Sequence, residues 1–262
     1  MIKENLVKKL YRENKPAFGT WLTLCPHPRA VKIMAAAGFD FLLLEMEHTD
    51  FTLREIGILA MVARECGIVP IVRPPGVSNP HDLTRALDAG AQGLLLPNIE
   101  TAEQIESILW AVRYHPLGAR PMNLKGPHTD YVAASPAEII EHLNRETMFV
   151  IMIETRKAID NLNEILDVPG IDAVMIGPDD LSQDLGIPGD LQNPLLFEAY
   201  ERIFAVCREK GIPYGLSAQS PEQAGTWLEK GAMWIPYQND AAMVLNTARA
   251  AVPQLMARAG RQ

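Results

Sequence analysis

Residues 148–154 read Met-Phe-Val-Ile-Met-Ile-Glu, and residues 173–180 read Ala-Val-Met-Ile-Gly-Pro-Asp-Asp. Both stretches stay free of charge until they reach a carboxylate. Strands that are apolar on both faces are typical of a parallel sheet covered by helices on each side. The two stretches therefore predict neighbouring buried strands of an α/β protein, each followed by an acidic side chain at its C-terminal end.

Six further apolar runs of this kind lie along the chain, separated by stretches with helical periodicity. The eight predicted strands are 18–24, 39–46, 69–73, 93–97, 148–154, 173–177, 214–217 and 233–237. The predicted helices are 28–37, 52–66, 80–89, 102–114, 158–166, 194–210, 221–230 and 241–259. Eight β/α units without a linker or a shift in composition predict an α/β fold, one (β/α)8 TIM barrel over residues 1–262. A doubly wound nucleotide-binding sheet is disfavoured because neither GxGxxG nor GxxxxGK[ST] is present.

The composition argues against some classes of binding partner and indicates the cellular compartment. The chain carries 24 Lys+Arg against 32 Asp+Glu, a net charge of −8, and has no basic block, so nucleic acid and anionic membranes are poor partners. No apolar run approaches the ~18 residues of a spanning helix, and the charged N-terminal residues are unlike a signal peptide. The three cysteines form no CxxC pair. Reduced thiols in a cytoplasmic protein are therefore expected.

Polar side chains cluster at the C-terminal ends of the predicted strands, where barrel enzymes carry their chemistry. His48 follows the second strand and Arg73 ends the third, while Glu154 and Asp180 follow the fifth and sixth. Two carboxylates on neighbouring strands suit Mg²⁺ or Mn²⁺, whereas zinc would favour a nearby His or Cys. The alternative is that each carboxylate caps the helix that follows it.

His48 and Arg73 are the candidate catalytic groups of this rim. An imidazole can act as a base near neutral pH, and a guanidinium can hold a carboxylate or a developing enolate oxygen. The alternatives are a structural histidine and an ion pair of Arg73 with Glu45 or Glu47. No lysine lies within a strand, so a Schiff-base mechanism lacks its nucleophile. Further residues at the strand ends are Trp21, Gly177, Pro178, Asp179 and Ser217.

Two segments indicate features in addition to the barrel itself. Residues 114–134 show no clear period, and a loop of this length is usually functional or a subunit contact. The stretch ends where Ser135 and Pro136 predict a helix start. The last predicted helix, 241–259, carries an apolar stripe that would pack on its own barrel or on a neighbouring subunit.

Short motifs in a specific order and spacing carry a family resemblance. They are Phe18-Gly19-Thr20-Trp21, Ala37-Gly38-Phe39-Asp40, Glu47-His48, Val72-Arg73-Pro74, Leu87-Asp88-Ala89-Gly90-Ala91-Gln92, Ile153-Glu154-Thr155 and Ile176-Gly177-Pro178-Asp179-Asp180-Leu181-Ser182. On these motifs the chain resembles the HpcH/HpaI family of metal-dependent (class II) 2-oxo acid aldolases over nearly its full length.

The resemblance implies roles for the strand-end residues. It implies that Glu154 and Asp180 bind a divalent metal, Mg²⁺ or Mn²⁺ with Co²⁺ as an alternative. It implies that the 177–180 turn receives the carboxylate of the 2-oxo acid, with His48 as base and Arg73 steadying the keto or enolate oxygen. It also implies that Asp88 orients the histidine. Because Asp88 precedes the fourth strand, at the wrong end of its own barrel, a neighbouring subunit would have to bring it.

The resemblance also implies the reaction and the assembly. The expected reaction cleaves a 4-hydroxy-2-oxo acid, either a 2-keto-3-deoxy sugar acid or a related hydroxy-oxo diacid, to pyruvate and an aldehyde. The expected assembly is a homo-oligomer, a hexamer built as a trimer of dimers, that exchanges the last helix between subunits. The alternatives are a lyase of the citryl-CoA or malyl-CoA type and a catalytically weak barrel retained for binding.

Three motifs depart from the family pattern. The usual Asp-Gly-Glu-His is Glu45-Met46-Glu47-His48, the common Gln-x-Glu is Met152-Ile153-Glu154, and the Gly-x-Arg-Gly-x-Gly loop is Gly118-Ala119-Arg120-Pro121-Met122-Asn123. The metal pair, the base and the arginine are retained, so the core chemistry is expected to be retained as well.

Overall fold

Eight parallel strands form a closed barrel in the computed structural model, which describes residues 2–261. The strands are β1 (Ala17–Leu22), β2 (Phe41–Glu45), β3 (Val69–Arg73), β4 (Gly93–Leu96), β5 (Met148–Ile153), β6 (Ala173–Ile176), β7 (Tyr214–Leu216) and β8 (Trp234–Asn239). The sheet closes because β1 pairs with β8 as well as with β2. The predicted (β/α)8 TIM barrel is confirmed, and each predicted strand is found within two residues of its bounds.

The strands are apolar on both faces because each face packs against a different core. Leu42 and Leu44 of β2 belong to the cluster that lies between the sheet and the helices. Phe41 and Leu43 of the same strand belong to the cluster that fills the barrel interior. There the rings of Phe41 and Trp234 stack with their centroids 3.8 Å apart. The continuous apolar runs of the sequence follow from this double burial.

In the described part of the chain, twelve helices surround and extend the barrel. They are α1 (Leu6–Arg12), α2 (Pro28–Ala36), α3 (Leu53–Cys66), α4 (Pro80–Asp88), α5 (Ala102–Val112), α6 (Pro136–Glu146), α7 (Arg156–Asp160), α8 (Leu162–Asp167), α9 (Pro178–Asp184), α10 (Pro194–Lys210), α11 (Pro221–Glu229) and α12 (Asp240–Arg258). α6 starts as predicted, with the Ser135 side chain accepting from the Glu138 N–H. Within residues 2–261, every helix is too short or insufficiently apolar to cross a membrane.

The helices differ from the sequence prediction in three places, one of which is α9, a short helix that was not among the predicted helices. The predicted helix 158–166 is two helices, α7 and α8, which are divided at Asn161. α1 was not predicted, since its seven residues give too few turns for a clear period. Its Val7 side chain is fully buried and belongs to the interior cluster, against which Leu6 and Leu10 pack. α1 therefore supplies apolar side chains to the core inside the barrel.

Of the two unusual segments, only 114–134 lies apart from the C-terminal ends of the strands, because α12 begins directly where β8 ends. The 114–134 stretch, which includes a 3₁₀ turn at Pro127–Thr129, is tied to the N-terminal side of the barrel by the ion pair of Arg64 with Asp130. α12 follows β8 and, in the described chain, Asp240 is its one buried residue. Cys25, Cys66 and Cys207 are free thiols.

Candidate active site at the C-terminal mouth of the barrel

A cavity of about 880 Å³ opens at the C-terminal ends of the strands. His48, Arg73, Trp21 and Ser217 line it together with the turn at 177–180. These residues come from five different strand ends, and the closed parallel barrel brings all of them to one mouth. The structure thus gathers the predicted rim residues around one space, except Glu154, which is buried and does not line the cavity.

Glu45 organises the part of this site that β2 and β3 provide. Its side chain is 1% exposed, and its Oε2 accepts from Nε of Arg73 at 2.6 Å. Its Oε1 accepts from the backbone N–H groups of Glu47 at 2.6 Å and His48 at 3.1 Å. The β2–β3 register places Glu45 directly beside Arg73. One buried carboxylate therefore fixes both the arginine and the turn that carries the histidine.

Arg73 makes the ion pair that the sequence left open, and it also faces the cavity. Its Nε lies 3.3 Å from Oε2 of Glu47, and its guanidinium lies over the Trp21 ring, 4.6 Å from the ring centroid. The indole N–H of Trp21 donates to Oγ of Ser217 at 3.2 Å. These contacts link the ends of β1, β2, β3 and β7. The guanidinium is held in place on several sides.

His48 is the open group of the rim. Its side chain is 64% exposed, and its Nε2 lies 3.9 Å from Oε2 of Glu47. Burial raises the pKa of Glu47, although Arg73 and His48 act in the opposite direction. The His48 side chain lines the cavity, so its imidazole can contact a molecule that binds there.

Glu154 is a buried carboxylate with like-charged neighbours. It is 3% exposed, and the backbone N–H of Asn98 donates to its Oε1 at 2.7 Å. Burial raises the pKa of Glu154 to about 7, and the charges of Asp180 and Glu47 act in the same direction. A Cβ built on Gly177, in the same turn as Asp180, would lie 2.5 Å from Oε2 of Glu154, so the two carboxylates lie at the same mouth of the barrel.

Neither member of this acidic pair caps a helix. The cap of α7 is Thr155, whose side chain accepts from the Ala158 N–H. α9 begins after Gly177, and Asp180 lies within its first turn without a side-chain capping bond. The capping alternative is therefore wrong for Glu154 and Asp180. Their carboxylates remain available for another role.

Asp88 lies apart from His48 in the single chain. It ends α4 beside the 114–134 stretch, where Nη2 of Arg120 and Nδ2 of Asn123 donate to its two carboxylate oxygens. Arg120 is buried and stacks over the Tyr114 ring, 4.6 Å from the centroid. The altered 118–123 loop thus fixes Asp88 at the N-terminal side of the barrel.

Three residues of the site were not among the predicted site residues, and one of them is Glu45, which the sequence suggested only as an ion-pair partner of Arg73. Asn98, which lies one residue beyond the predicted fourth strand, has φ 55° and directs its N–H to Glu154. The signal available in the sequence was its position directly after the fourth predicted strand. Glu47 was predicted only as an ion-pair partner of Arg73, because its closeness to Glu154 depends on the closed barrel.

The model of the HpcH/HpaI aldolase/citrate lyase family matches residues 18–247, which is most of the chain. The chain belongs to this family. A 4-hydroxy-2-oxo-heptane-1,7-dioate aldolase of Shigella sonnei is 32% identical over 259 residues, 99% of this chain and 96% of the relative. A 2-dehydro-3,6-dideoxy-6-sulfogluconate aldolase of Pseudomonas putida is 32% identical over 253 residues, 97% of this chain and 96% of the relative.

The fold agrees with that of an HpcH/HpaI aldolase from Desulfitobacterium hafniense DCB-2. Its crystal structure superposes with a TM-score of 0.92 at 32% identity and covers 97% of both chains. The chain is accordingly a carbon–carbon lyase, an aldolase of the HpcH/HpaI family. The family resemblance inferred from the strand-end motifs is confirmed.

The raised pKa of Glu154 predicts how the stability of this HpcH/HpaI aldolase changes with pH. Between about pH 4.5 and 7, the folded chain holds a proton on Glu154 that the unfolded chain releases. The free energy of unfolding should therefore fall as pH rises through this interval, by on the order of 2 kcal/mol. Glu154→Gln cannot ionise and should remove this component.

Urea unfolding between pH 5 and 8, in the presence of EDTA, measures the effect. The variant should gain stability over the parent protein as pH rises. Glu229→Gln, an exposed position on α11, is the matched control and should follow the parent curve. Parallel curves for Glu154→Gln and the parent protein would contradict the prediction.

Proposed function

We propose that this lyase is a divalent-metal-dependent aldolase that cleaves a 4-hydroxy-2-oxo acid to pyruvate and an aldehyde. The observation that supports this most is the meeting of four groups at one mouth. A buried carboxylate, Glu154, lies with Asp180 beside an immobilised guanidinium, Arg73, and an open imidazole, His48. Aldol cleavage needs charge stabilisation at a keto oxygen and a base for a hydroxyl proton, and these groups can supply both.

The residues present fit a metal ion. Glu154 is buried among carboxylates, and a cation would offset the free-energy cost of that burial. Residues 2–261 contain no cluster of three or more His, Cys, Asp or Glu that could hold a metal. Mg²⁺ often takes only one or two protein carboxylates and completes its shell with water and substrate. Glu154 and Asp180 would hold Mg²⁺ or Mn²⁺, with Co²⁺ as an alternative, and the ion would supply Lewis-acid stabilisation to the keto oxygen.

The turn at 177–180 is the proposed seat of the substrate carboxylate. A Cβ built on Gly177 would lie 2.5 Å from Oε2 of Glu154, so a side chain there would press on the carboxylate. Asp179, which follows Pro178, offers a backbone N–H at the first turn of α9, where the helix favours negative charge. Trp21 and Ser217, which are hydrogen-bonded to each other, would flank the bound molecule.

In this proposal, the transferred proton and the developing negative charge are each assigned to a residue. In the cleavage direction, His48 takes the proton of the C4 hydroxyl and the C3–C4 bond breaks. The aldehyde leaves, and the electron pair of that bond stays on the three-carbon fragment as its enolate. Arg73, which Glu45 holds in place, stabilises the developing oxyanion. Protonation at C3 gives pyruvate, and the reverse reaction begins with removal of a methyl proton.

The charges of the cavity do not favour a CoA-thioester lyase. CoA carries several phosphates, and Arg73 is the one lysine or arginine among the cavity-lining residues of the described chain. Glu45, Asp180 and Glu222 also line the cavity. Acetyl-CoA with glyoxylate should therefore give no product.

Metal removal should abolish the first step of the reverse reaction. The protein treated with EDTA should not exchange the methyl protons of pyruvate in deuterated water, and Mg²⁺ or Mn²⁺ should restore the exchange. Glu154→Ala and Asp180→Ala should lose this recovery because the ion loses a ligand. Proton NMR of the pyruvate methyl signal measures the rate. Exchange at an unchanged rate after chelation would contradict the proposal.

Removing His48 should slow the cleavage itself. His48→Ala should lower kcat at least about 100-fold, the contribution typical of a positioned base. His81→Ala, at the exposed start of α4, is the matched control and should leave kcat unchanged. Release of pyruvate from a racemic 4-hydroxy-2-oxo acid measures both. An unaffected His48→Ala enzyme would remove this residue from the mechanism.

We also propose that α12 docks on a second copy of the chain. Its apolar side chains Val244, Leu245, Val252 and Leu255 are between 44% and 65% exposed, an unfavourable state for a helix in water. The family resemblance points to exchange of this helix within a hexamer, a trimer of dimers. Contact with a second barrel could also bring the neighbour's Asp88 toward His48.

Two charged residues introduced on α12 should dissociate this assembly. Val244→Asp combined with Leu255→Asp should shift the mass by light scattering toward the 29.0 kDa of one chain. Leu195→Asp, at an exposed leucine on α10, is the control and should keep the parent mass. Equal masses for all three proteins would contradict docking through α12.

A further inference from the structure

The loop between β4 and α5, residues 97–101, lies against the buried carboxylate of Glu154. The backbone N–H of Asn98 donates to Oε1 of Glu154 at 2.7 Å. Asn98 reaches this position with φ 55°, a left-handed conformation that is uncommon for residues other than glycine. Asn98 is an exposed residue, and its contact with Glu154 is made by the backbone. The conformation of the loop therefore decides whether Glu154 has this donor.

Gln104 of α5 holds the loop through both ends of its side-chain amide. Its Nε2 donates to the backbone O of Asn98 at 2.9 Å, and its Oε1 accepts from the backbone N–H of Glu100 at 2.9 Å. Its own backbone N–H donates to Oγ1 of Thr101, the cap of α5, at 3.2 Å. A left-handed residue other than glycine persists only where its surroundings hold it there. Gln104 supplies such a constraint from outside the cavity.

The far side of the loop is held by the segment that follows Glu154. Oε1 of Glu100 accepts from Oγ1 of Thr155 at 3.1 Å, and its Oε2 accepts from Nζ of Lys157 at 2.9 Å. Nδ2 of Asn161 donates to the backbone O of Glu100 at 2.8 Å. Because Thr155 directly follows Glu154, the loop is hydrogen-bonded both to the Glu154 carboxylate and to the next residue along the chain.

The two carboxylate oxygens of Glu154 have different surroundings. Oε1 accepts from Asn98, whereas Oε2 lies beside the 177–180 turn, where a Cβ built on Gly177 would be 2.5 Å away. A hydrogen bond to one oxygen of a ligating carboxylate orients the other oxygen and tunes the affinity for the ion. The loop therefore directs Oε2 toward the turn that carries Asp180.

From this geometry we infer that the β4–α5 loop, fastened by Gln104, positions the proposed metal ligand Glu154. Gln104 keeps Asn98 in its left-handed turn, Asn98 occupies Oε1, and Oε2 stays directed toward the 177–180 turn. The inference rests on the proposed metal-dependent function and adds to it a residue that does not line the cavity. Because Gln104 acts through Asn98, its effect is on the affinity for the ion.

Gln104→Met tests the fastening of the loop. Methionine keeps the length of the side chain and removes both side-chain hydrogen bonds. The Kd of Mn²⁺ should rise about tenfold over that of the parent protein, the lower end of what the loss of a group that orients a metal ligand typically costs. Electron paramagnetic resonance of the free ion measures this Kd without substrate or turnover. Far-UV circular dichroism shows that the variant is folded.

Gln223→Met is the matched control. Oε1 of Gln223 accepts from the backbone N–H of Gln219 at 2.7 Å, and its own N–H donates to Oγ of Ser220, the cap of α11, at 3.2 Å. This segment follows β7, which is separated from β5 by β6. Loss of the loop contact alone should therefore leave the Kd of Mn²⁺ unchanged. An equal rise in both variants would show a general effect of loosening a loop and would overturn the inference.

Two variants at Asn98 test the left-handed turn itself, and they decide the question if Gln104→Met does not fold. Glycine adopts φ 55° without strain, whereas a β-branched residue strongly disfavours it. Asn98→Gly should therefore bind Mn²⁺ at least about fivefold more tightly than Asn98→Val, because only the former keeps the N–H directed to Glu154. Equal affinities of the two variants would overturn the inference.

Binding of Mn²⁺ to the parent protein separates the two proposals. If the parent protein and Gln104→Met bind Mn²⁺ with the same Kd, the positioning role is wrong and the metal-dependent aldolase function stands. If the parent protein does not bind Mn²⁺, the metal-dependent function is contradicted and the positioning role falls with it.

Discussion

The buried Glu45 carboxylate is the constraint on which the site depends. It holds Arg73 through one oxygen and the backbone of the Glu47–His48 turn through the other. Removing one partner of a buried ion pair typically costs about 3–5 kcal/mol, because the other charge is left uncompensated. The family pattern has the shorter aspartate here, and in this chain the glutamate makes all of these contacts. The guanidinium and the backbone turn that carries His48 are thus fixed relative to each other before any substrate binds.

The parallel barrel explains why residues far apart in sequence share one cavity. Trp21 and Ser217 lie nearly two hundred positions apart and hydrogen-bond across the mouth. The same geometry sends Asp88, which precedes β4, to the opposite side, where Arg120 holds it. In the proposed assembly, a second copy would supply this carboxylate. Association of subunits would then explain both the exposed apolar side chains on α12 and the position of Asp88 away from the mouth of its own barrel. The set of residues in the active site would then depend on the association of subunits.

How much the sequence predicts depends on how far each signal extends along the chain. The predicted bounds of β3 and α10 match the observed elements because continuous burial and a long period are local properties. α1 is too short for such a signal. His48, Arg73, Glu154 and Asp180 could be placed on one mouth because strand ends converge in any parallel barrel. The role of Asn98 could not, since it depends on a backbone angle that folding alone creates.

The central claim is that the mouth of the barrel holds a divalent ion and a 2-oxo acid at the same place. Anomalous diffraction from crystals soaked with Mn²⁺ and pyruvate tests it most directly. The account predicts one strong manganese peak between the carboxylates of Glu154 and Asp180, with pyruvate beside it and its keto oxygen facing Arg73. A manganese peak elsewhere, or pyruvate bound away from the 177–180 turn, would contradict it.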